Sequence, residues 1–380
     1  MGSTIAITPT MAITMNIQAV LERYRNDIAN ELRAFIEGKA RLAQRDYLQP
    51  FYGQMRYHLG WTHADLTPAN GHPGKLLRPT LLLLAYEVTC SPSHRRARLD
   101  PPQLQRVLPA AIAIELVHNF SLIHDDIEDG DEERRHRPTL WKVYGEAQAI
   151  NTGDGMFSLA RLALWDLPAR GVPLETTLDL AQILDHTCVT LCEGQYLDIS
   201  FEGRDDVSVE MYLDMIAKKT ASLMRCGAEM GARLATTDRN TIQAFARFGE
   251  ILGLAFQVRD DLLGVWGRQE QTGKLPAGDV RRKKRSLPLL YALEYSTPSA
   301  RQILRTIYAS SRTPAAPAEI TTVLEIFQDT GTQQRCLAML TDLCRQARTA
   351  LTALPAAHHP CPAWNDLATI IDFVEDVQFT

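Results

Sequence analysis

Three aspartates, Asp125, Asp126 and Asp129, sit close together in the run SLIHDDIEDGDEERRHRPT. On a helix, residues four apart share a face, so Asp125 and Asp129 project together. The turns before them are apolar (Ile112, Leu116, Phe120, Leu122, Ile123). Carboxylates crowded at the end of a buried helix repel one another and call for a cation. Their oxygens select hard ions, of which Mg2+ is the common one in phosphate chemistry. A solvated acidic helix end is an equally good reading of this cluster alone. A second pair, Asp260 and Asp261, closes the similarly apolar segment ILGLAFQVRDDLLGVWG, and the coincidence favours two acidic pairs facing each other across a cavity. A rival metal reading comes from Glu115 with His118 and Glu133 with His136. Both fit the Glu-x-x-His signature of di-iron bundles, although the second copy lies in a charged stretch that reads as a loop before Pro138.

Several cations could complement these carboxylates. Lys75 and Arg78 stand three apart in GKLLRP, a turn leading into a helix, close enough to grip one anion. Arg134 and Arg135 follow the first Asp cluster directly, and Lys218, Lys219 and Thr220 interrupt a helical pattern. Lys274 and Lys284 lie in QTGKLPAGDVRRKKRS, a long polar segment with two glycines that suits a closing flap.

The elements that must carry these groups are helices. Ile17, Val20, Leu21, Tyr24, Ile28, Leu32, Phe35 and Ile36 form one apolar stripe. Similar periodicity runs through residues 79–90, 103–129, 149–166, 174–198, 209–235 and 240–266, with weaker patterns from 287 onward. Pro and Gly fall mainly between these segments. Several segments are apolar around much of their circumference, as helices inside a bundle are. The expectation is an all-α fold, a single large helical bundle over residues 16–380, with residues 1–15 as a disordered N-terminal extension. A formal net charge of −5 gives no basic face for nucleic acid. Seven dispersed cysteines without metal-site spacing suggest reduced thiols and a cytoplasmic location. The start of the chain does not read as a secretory signal. No uninterrupted apolar run reaches the ~18–20 residues of a membrane span.

The ordered set GKxxRP, DDxxD, RR-x-x-P-T, GQ-x-x-D, KKT, FQ-x-x-DD and trailing lysines resembles the trans-isoprenyl diphosphate synthases, from about Gly74 to Pro288. The resemblance implies the isoprenoid synthase fold, with a central active-site cavity, and magnesium-dependent head-to-tail condensation of isopentenyl diphosphate with an allylic diphosphate. It implies three magnesium ions, two on Asp125 and Asp129 and one on Asp260, with Asp126 and Asp261 in support. Arg134, Lys219, Lys274 and Lys284 would surround the allylic diphosphate. Lys75, Arg78, His118 and Arg135 match positions that bind isopentenyl diphosphate. Thr220 and Gln257 match groups that steady a carbocation, and Gln195 and Asp198 line the same cavity. A homodimer is expected on the same ground. The chain departs from the family pattern at Gly264, where a third Asp commonly ends the second motif. It also departs at His136 and Ala221, where Gly is usual; these bear on loop geometry rather than on the reaction.

The resemblance also suggests a product. Five residues of helix span ~7–8 Å, so Phe120 lies that far below Asp125, with Ser121 beside it. Phe120 reads as ordinary core packing from periodicity alone, but in this family bulk at these two positions forms the cavity floor. A single aromatic five residues before the motif, with no insertion between Asp126 and Asp129, resembles geranylgeranyl diphosphate synthases. A farnesyl product is the next reading. A class I terpene cyclase would not need the GKLLRP element or Arg135, and a non-catalytic subunit of a heteromeric synthase would be expected to lack the first Asp motif.

Overall fold

A computed structural model describes residues 9–69, 71, 74–90, 98–267, 277–309, 313–354 and 361–379. Residues 1–8 lie outside this set. Helix α1 (Pro9–Leu42) already runs through residues 9–15, which the sequence pattern assigned to the extension. After α2 (Gln49–His58) come α3 (Leu77–Cys90) and α4 (Pro101–Glu128). Then follow the short α5 (Leu140–Tyr144), α6 (Glu146–Leu164), α7 (Leu174–Phe201), α8 (Val209–Ile216), α9 (Ser222–Ala235) and α10 (Arg239–Trp266). Six further α-helices follow among the described residues, of which Thr332–Thr352 and Pro362–Glu375 return to the main bundle.

The expected all-α architecture holds, with one addition. The stretch read as a loop before Pro138 is a hairpin, in which β1 (Glu133–Arg134) pairs antiparallel with β2 (Arg137–Pro138). Its two turn residues, Arg135 and His136, both have left-handed backbone (φ 54° and 60°). That combination twists a two-residue turn to match its strands.

Local sequence explains where the site-bearing helices start. At α4, Asp100 Oδ1 accepts from the Gln103 backbone N–H at 2.9 Å and Gln103 Oε1 accepts from the Asp100 N–H at 3.3 Å, with Pro101 and Pro102 opening the first turn. At α10, Asp238 caps the Thr241 N–H at 2.9 Å. The pattern read as one helix over 209–235 is divided. Residues Ala217–Ala221 form a π-turn between α8 and α9, and it carries Lys218, Lys219 and Thr220. Such turns rotate side chains off the helical register and recur at functional sites.

Helix α4 is the axis of the bundle. It packs against α6 along its length and also touches α1, α3 and α9; α9 in turn sits between α3 and α10. By length and composition α4 could cross a membrane, although polar residues such as Glu115, His118 and Asn119 interrupt its apolar run. Of its most apolar 18-residue stretch, 78% is buried inside the bundle, where an all-round apolar helix is expected. A smaller core, including Val280, Leu304, Val323 and Phe327, is built by the helices after α10.

Candidate active site

Asp125, in the last turn of α4, and Asp129, at its C-cap, open into a cavity of about 1120 Å³. Helix C-termini are electronegative, so carboxylates there need compensation. Lys219 supplies part of it. Its Nζ lies 2.9 Å from Asp125 Oδ1 and 2.6 Å from Asp198 Oδ2, tying α4 to α7 through the π-turn. Arg134 supplies another part, with Nε and Nη2 each 2.7 Å from Asp126 Oδ1 and Nη2 3.8 Å from Asp125 Oδ2. Burial, together with the Asp125 carboxylate, pushes the Asp129 carboxyl up to about 7.

Asp126 does not line the cavity. It is buried behind the wall, gripping Arg134, and burial raises its carboxyl to about 6 despite that cation. Asp261 behaves alike on α10. It accepts from the Tyr212 hydroxyl at 2.5 Å, Gln257 Nε2 at 3.0 Å and the Leu287 backbone N–H at 3.2 Å. Gln257 Oε1 in turn accepts from Thr220 Oγ1 at 2.9 Å. Each acidic pair therefore divides its work: Asp125 and Asp260 face the cavity, while Asp126 and Asp261 brace the wall.

A second cationic group occupies the α3 end of the cavity. Gly74, at φ +110°, leaves room for Arg135, whose Nη2 stands 2.7 Å from where a Cβ would be. Arg78 Nη1 lies 3.2 Å from His118 Nε2. Burial, with Arg78 and Arg135 beside it, holds the imidazole well below its usual pKa, so neutral His118 accepts from Arg78. Lys75 Nζ and the Arg259 guanidinium both face the Phe373 ring, at 5.8 and 4.4 Å from its centroid. Glu115, beneath Arg78, is hydrogen-bonded to Asn119 Nδ2 at 2.7 Å, and burial pushes its carboxyl up to about 7.

On α7, Gln195 Nε2 donates to Glu128 Oε2 at 2.6 Å, beside Asp198. Toward its base the cavity turns apolar, with Phe120, Leu191, Leu223 and Phe256 in its lining. Phe120 meets Phe157 of α6 edge-on at 4.9 Å and His124 at 5.7 Å, while Ser121 Oγ donates to the His118 carbonyl at 2.9 Å.

Nearly all the residues singled out from sequence thus gather in or directly behind one cavity, including Lys284; Lys274 lies outside the described residues. The two Glu-x-x-His copies do not meet: Glu115 and His118 face the cationic group, whereas Glu133 and His136 are exposed on the hairpin. Arg259, Tyr212, Phe157 and Asp279 escaped the sequence reading. Arg259 adjoins the second Asp pair and was legible as a cation. The other three are ordinary residues until the fold brings them to the site.

No three His, Cys, Asp or Glu side chains among the described residues converge as a closed metal cage. The carboxylates nonetheless fit magnesium, which is commonly held by one or two carboxylates while phosphate oxygens and water complete its shell. Burial first, and the neighbouring Asp125 carboxylate second, disfavour the charged form of Asp129, and a cation bound between the two would favour it.

An all-α bundle with two carboxylate poles, two cationic groups and an apolar base is the architecture of an isoprenoid synthase. The polyprenyl synthetase family model matches residues 63–327. The (2E,6E)-farnesyl diphosphate synthase of Mycobacterium tuberculosis (strain ATCC 25618 / H37Rv) is 36% identical over 319 residues, 83% of this chain and 84% of the relative. A geranylgeranyl diphosphate synthase of the same organism is 37% identical over 341 residues, 90% of this chain and 89% of the relative. A polyprenyl synthetase crystal structure from Streptomyces coelicolor A3(2) superposes with a TM-score of 0.80 at 35% identity, covering 94% of this chain and 99% of the other. The chain belongs to the polyprenyl synthetase family and is a prenyltransferase that elongates isoprenyl chains.

Proposed function

We propose that this enzyme condenses isopentenyl diphosphate head to tail with an allylic diphosphate, using magnesium, and releases geranylgeranyl diphosphate. The observation that carries the proposal is the separation of the cations into two groups within one cavity. Lys219, Arg134 and Lys284 stand with the Asp poles, while Lys75, Arg78, Arg135 and Arg259 gather at the α3 end. Two diphosphates can then bind side by side, each with its own countercharge.

Asp125, Asp129 and Asp260 would hold the magnesium ions, which neutralise the allylic diphosphate and make it a competent leaving group. Lys219, Arg134 and Lys284 add fixed positive charge around the departing oxygens. Arg78, Arg135 and Lys75 hold isopentenyl diphosphate so that its double bond faces the allylic C1. As the C1–O bond breaks, the Thr220 hydroxyl and Gln257 carbonyl oxygens, joined at 2.9 Å, line the cation's path. The double bond then forms the new C–C bond, and the proton lost next passes to the departing diphosphate. Apolar lining keeps water from trapping the cation. The growing chain descends toward Phe120, whose ring, braced by Phe157, limits its length.

A farnesyl product is the second reading, supported by the 36% identity to a relative of that name. We also infer a homodimer. Leu162, Trp165, Leu174, Leu178, Val189 and Ile199 leave an exposed apolar surface on α6, α7 and the turn after α6. Seven free cysteines suit a reducing cytoplasm. The deciding experiment incubates the protein with Mg2+, labelled isopentenyl diphosphate and dimethylallyl, geranyl or farnesyl primer, then sizes the products. Chains of twenty carbons support the reading. Chains ending at fifteen carbons shift it to farnesyl diphosphate synthase, and cyclic hydrocarbon from a primer alone contradicts it.

A further inference from the structure

Whether Phe120 yields to a longer chain depends on the groups behind it. Two rings meet its own edge-on, His124 at 5.7 Å and Phe157 at 4.9 Å. His124 is pinned. Its Nε2 donates to the Ile150 carbonyl of α6 at 3.2 Å, and that nitrogen lies 2.3 Å from where a Cβ on Gly153 would stand. Phe157 is the neighbour with room to move. It does not line the cavity, and it is only partly buried on α6. An outward swing of its ring, followed by Phe120, would open the base of the cavity.

Arg161, one turn further along α6, blocks that swing. Its guanidinium lies over the Phe157 ring with Cζ 3.8 Å from the centroid, a close cation–π contact. The same side chain reaches α7, where Nη2 stands 2.8 Å from Asp185 Oδ1. A chain of contacts therefore runs from the cavity to the protein surface: Phe120 of α4, Phe157 and Arg161 of α6, and Asp185 of α7. The outer pair has little to do with overall stability, because side chains that are 33% and 54% exposed make a weak ion pair. Its geometry is specific all the same. A planar guanidinium can stack on a ring and bind a carboxylate at once, which a lysine cannot.

We propose that Arg161, anchored by Asp185, is a specificity-determining residue that fixes product length by holding Phe157 against Phe120. It touches no substrate: it is a positioning residue that acts through Phe157. The inference rests on the reading of Phe120 as the floor and adds the groups that keep the floor in place.

The test sizes the products made with Mg2+, labelled isopentenyl diphosphate and dimethylallyl or farnesyl primer. Wild type is compared with Arg161→Ala, Asp185→Asn, Phe120→Ala, Phe157→Ala and the double variant Arg161→Ala/Phe157→Ala, with thermal melts to check folding. Arg161→Ala is expected to raise the fraction of chains one isoprene unit beyond the wild-type end point by about fivefold, the scale of a cation–π contact and an ion pair lost together. Asp185→Asn should raise it by about twofold. For both variants kcat/KM of the first condensation should stay within about twofold of wild type, which a general loss of structure would not spare. Against the Phe157→Ala background, Arg161→Ala is expected to change nothing further, because the ring it acts through is gone. An Arg161→Ala product distribution equal to wild type, or the same shift with and without the Phe157 ring, overturns the proposal. If Arg161→Ala does not fold, the isosteric Asp185→Asn decides by the same measure. Longer products from Phe120→Ala but not from Arg161→Ala mean that the clamp alone has failed. Unchanged products from Phe120→Ala mean that the floor reading has failed, and the clamp with it.

Discussion

Gly194 of α7 lies against the backbone of Lys219: a Cβ on the glycine would stand 2.3 Å from the Lys219 nitrogen. This near-contact lets α7 and the π-turn approach closely enough for Lys219 to reach both Asp125 and Asp198. It also explains physically why a glycine precedes Gln195. Because the neighbouring atoms are backbone, Gly194→Ala must push the two elements apart. The expected result is about a 100-fold lower kcat/KM, the scale set by ~1 Å displacements of catalytic groups. Stability should fall by about 1–3 kcal/mol, the scale of overpacking. Steady-state kinetics and denaturant unfolding measure both, and a fully active Gly194→Ala enzyme would contradict this packing.

The hairpin turn allows the opposite kind of change. His136 holds φ 60° without the freedom of glycine, and its side chain is exposed. His136→Gly should raise stability by about 1 kcal/mol through relief of the left-handed backbone. Activity should be retained, because Arg135, not His136, lines the cavity. Thermal unfolding checks the sign.

Chain length should respond to both rings of the floor. Phe120→Ala opens the base of the cavity and is expected to lengthen the products, at a stability cost of about 3 kcal/mol. Phe157→Ala removes the ring that braces Phe120 from α6 and should lengthen them less. Product sizing decides, and an unchanged distribution in Phe120→Ala removes that residue as the floor.

Glu115 provides a pH signature. Burial raises its carboxyl from 4.5 to about 7, against the opposing hydrogen bond from Asn119 and the field of Arg78. Between these values the folded chain holds a proton that the unfolded chain has released. Its contribution to stability is therefore full below pH ~4.5 and is lost as pH rises through ~7. Glu115→Gln cannot titrate, so its melting temperature relative to wild type should rise between pH 5 and pH 8. A difference that stays constant over that range would show that Glu115 is not the group responsible.

Much of this was legible in the chain. Repeating apolar residues located α3, α4, α6, α7 and α10 within a few residues of their observed ends, because each of these helices packs an apolar face into the bundle and periodicity records that face. Asp125, Asp129 and Asp260 stood out because charges that end apolar helices need a reason. The divided roles of each Asp pair were not readable in the same way. Whether Asp126 or Asp261 faces the cavity depends on partners such as Tyr212, 49 residues from Asp261 in the chain. The π-turn at 217–221 shows in the apolar pattern only as the polar interruption Lys218, Lys219 and Thr220, which does not by itself distinguish a π-turn from a polar patch on one continuous helix. The hairpin was hidden because its charged residues carry no strand propensity; pairing and turn geometry define it.

The most direct test of the central claim compares primer elongation by wild type and Asp125→Ala under saturating Mg2+, with labelled isopentenyl diphosphate. The account predicts steady elongation by wild type, at least a ~1000-fold loss in the variant, and an unchanged helical spectrum. An Asp125→Ala enzyme that elongates at the wild-type rate would contradict the assignment of this cavity as the reaction centre.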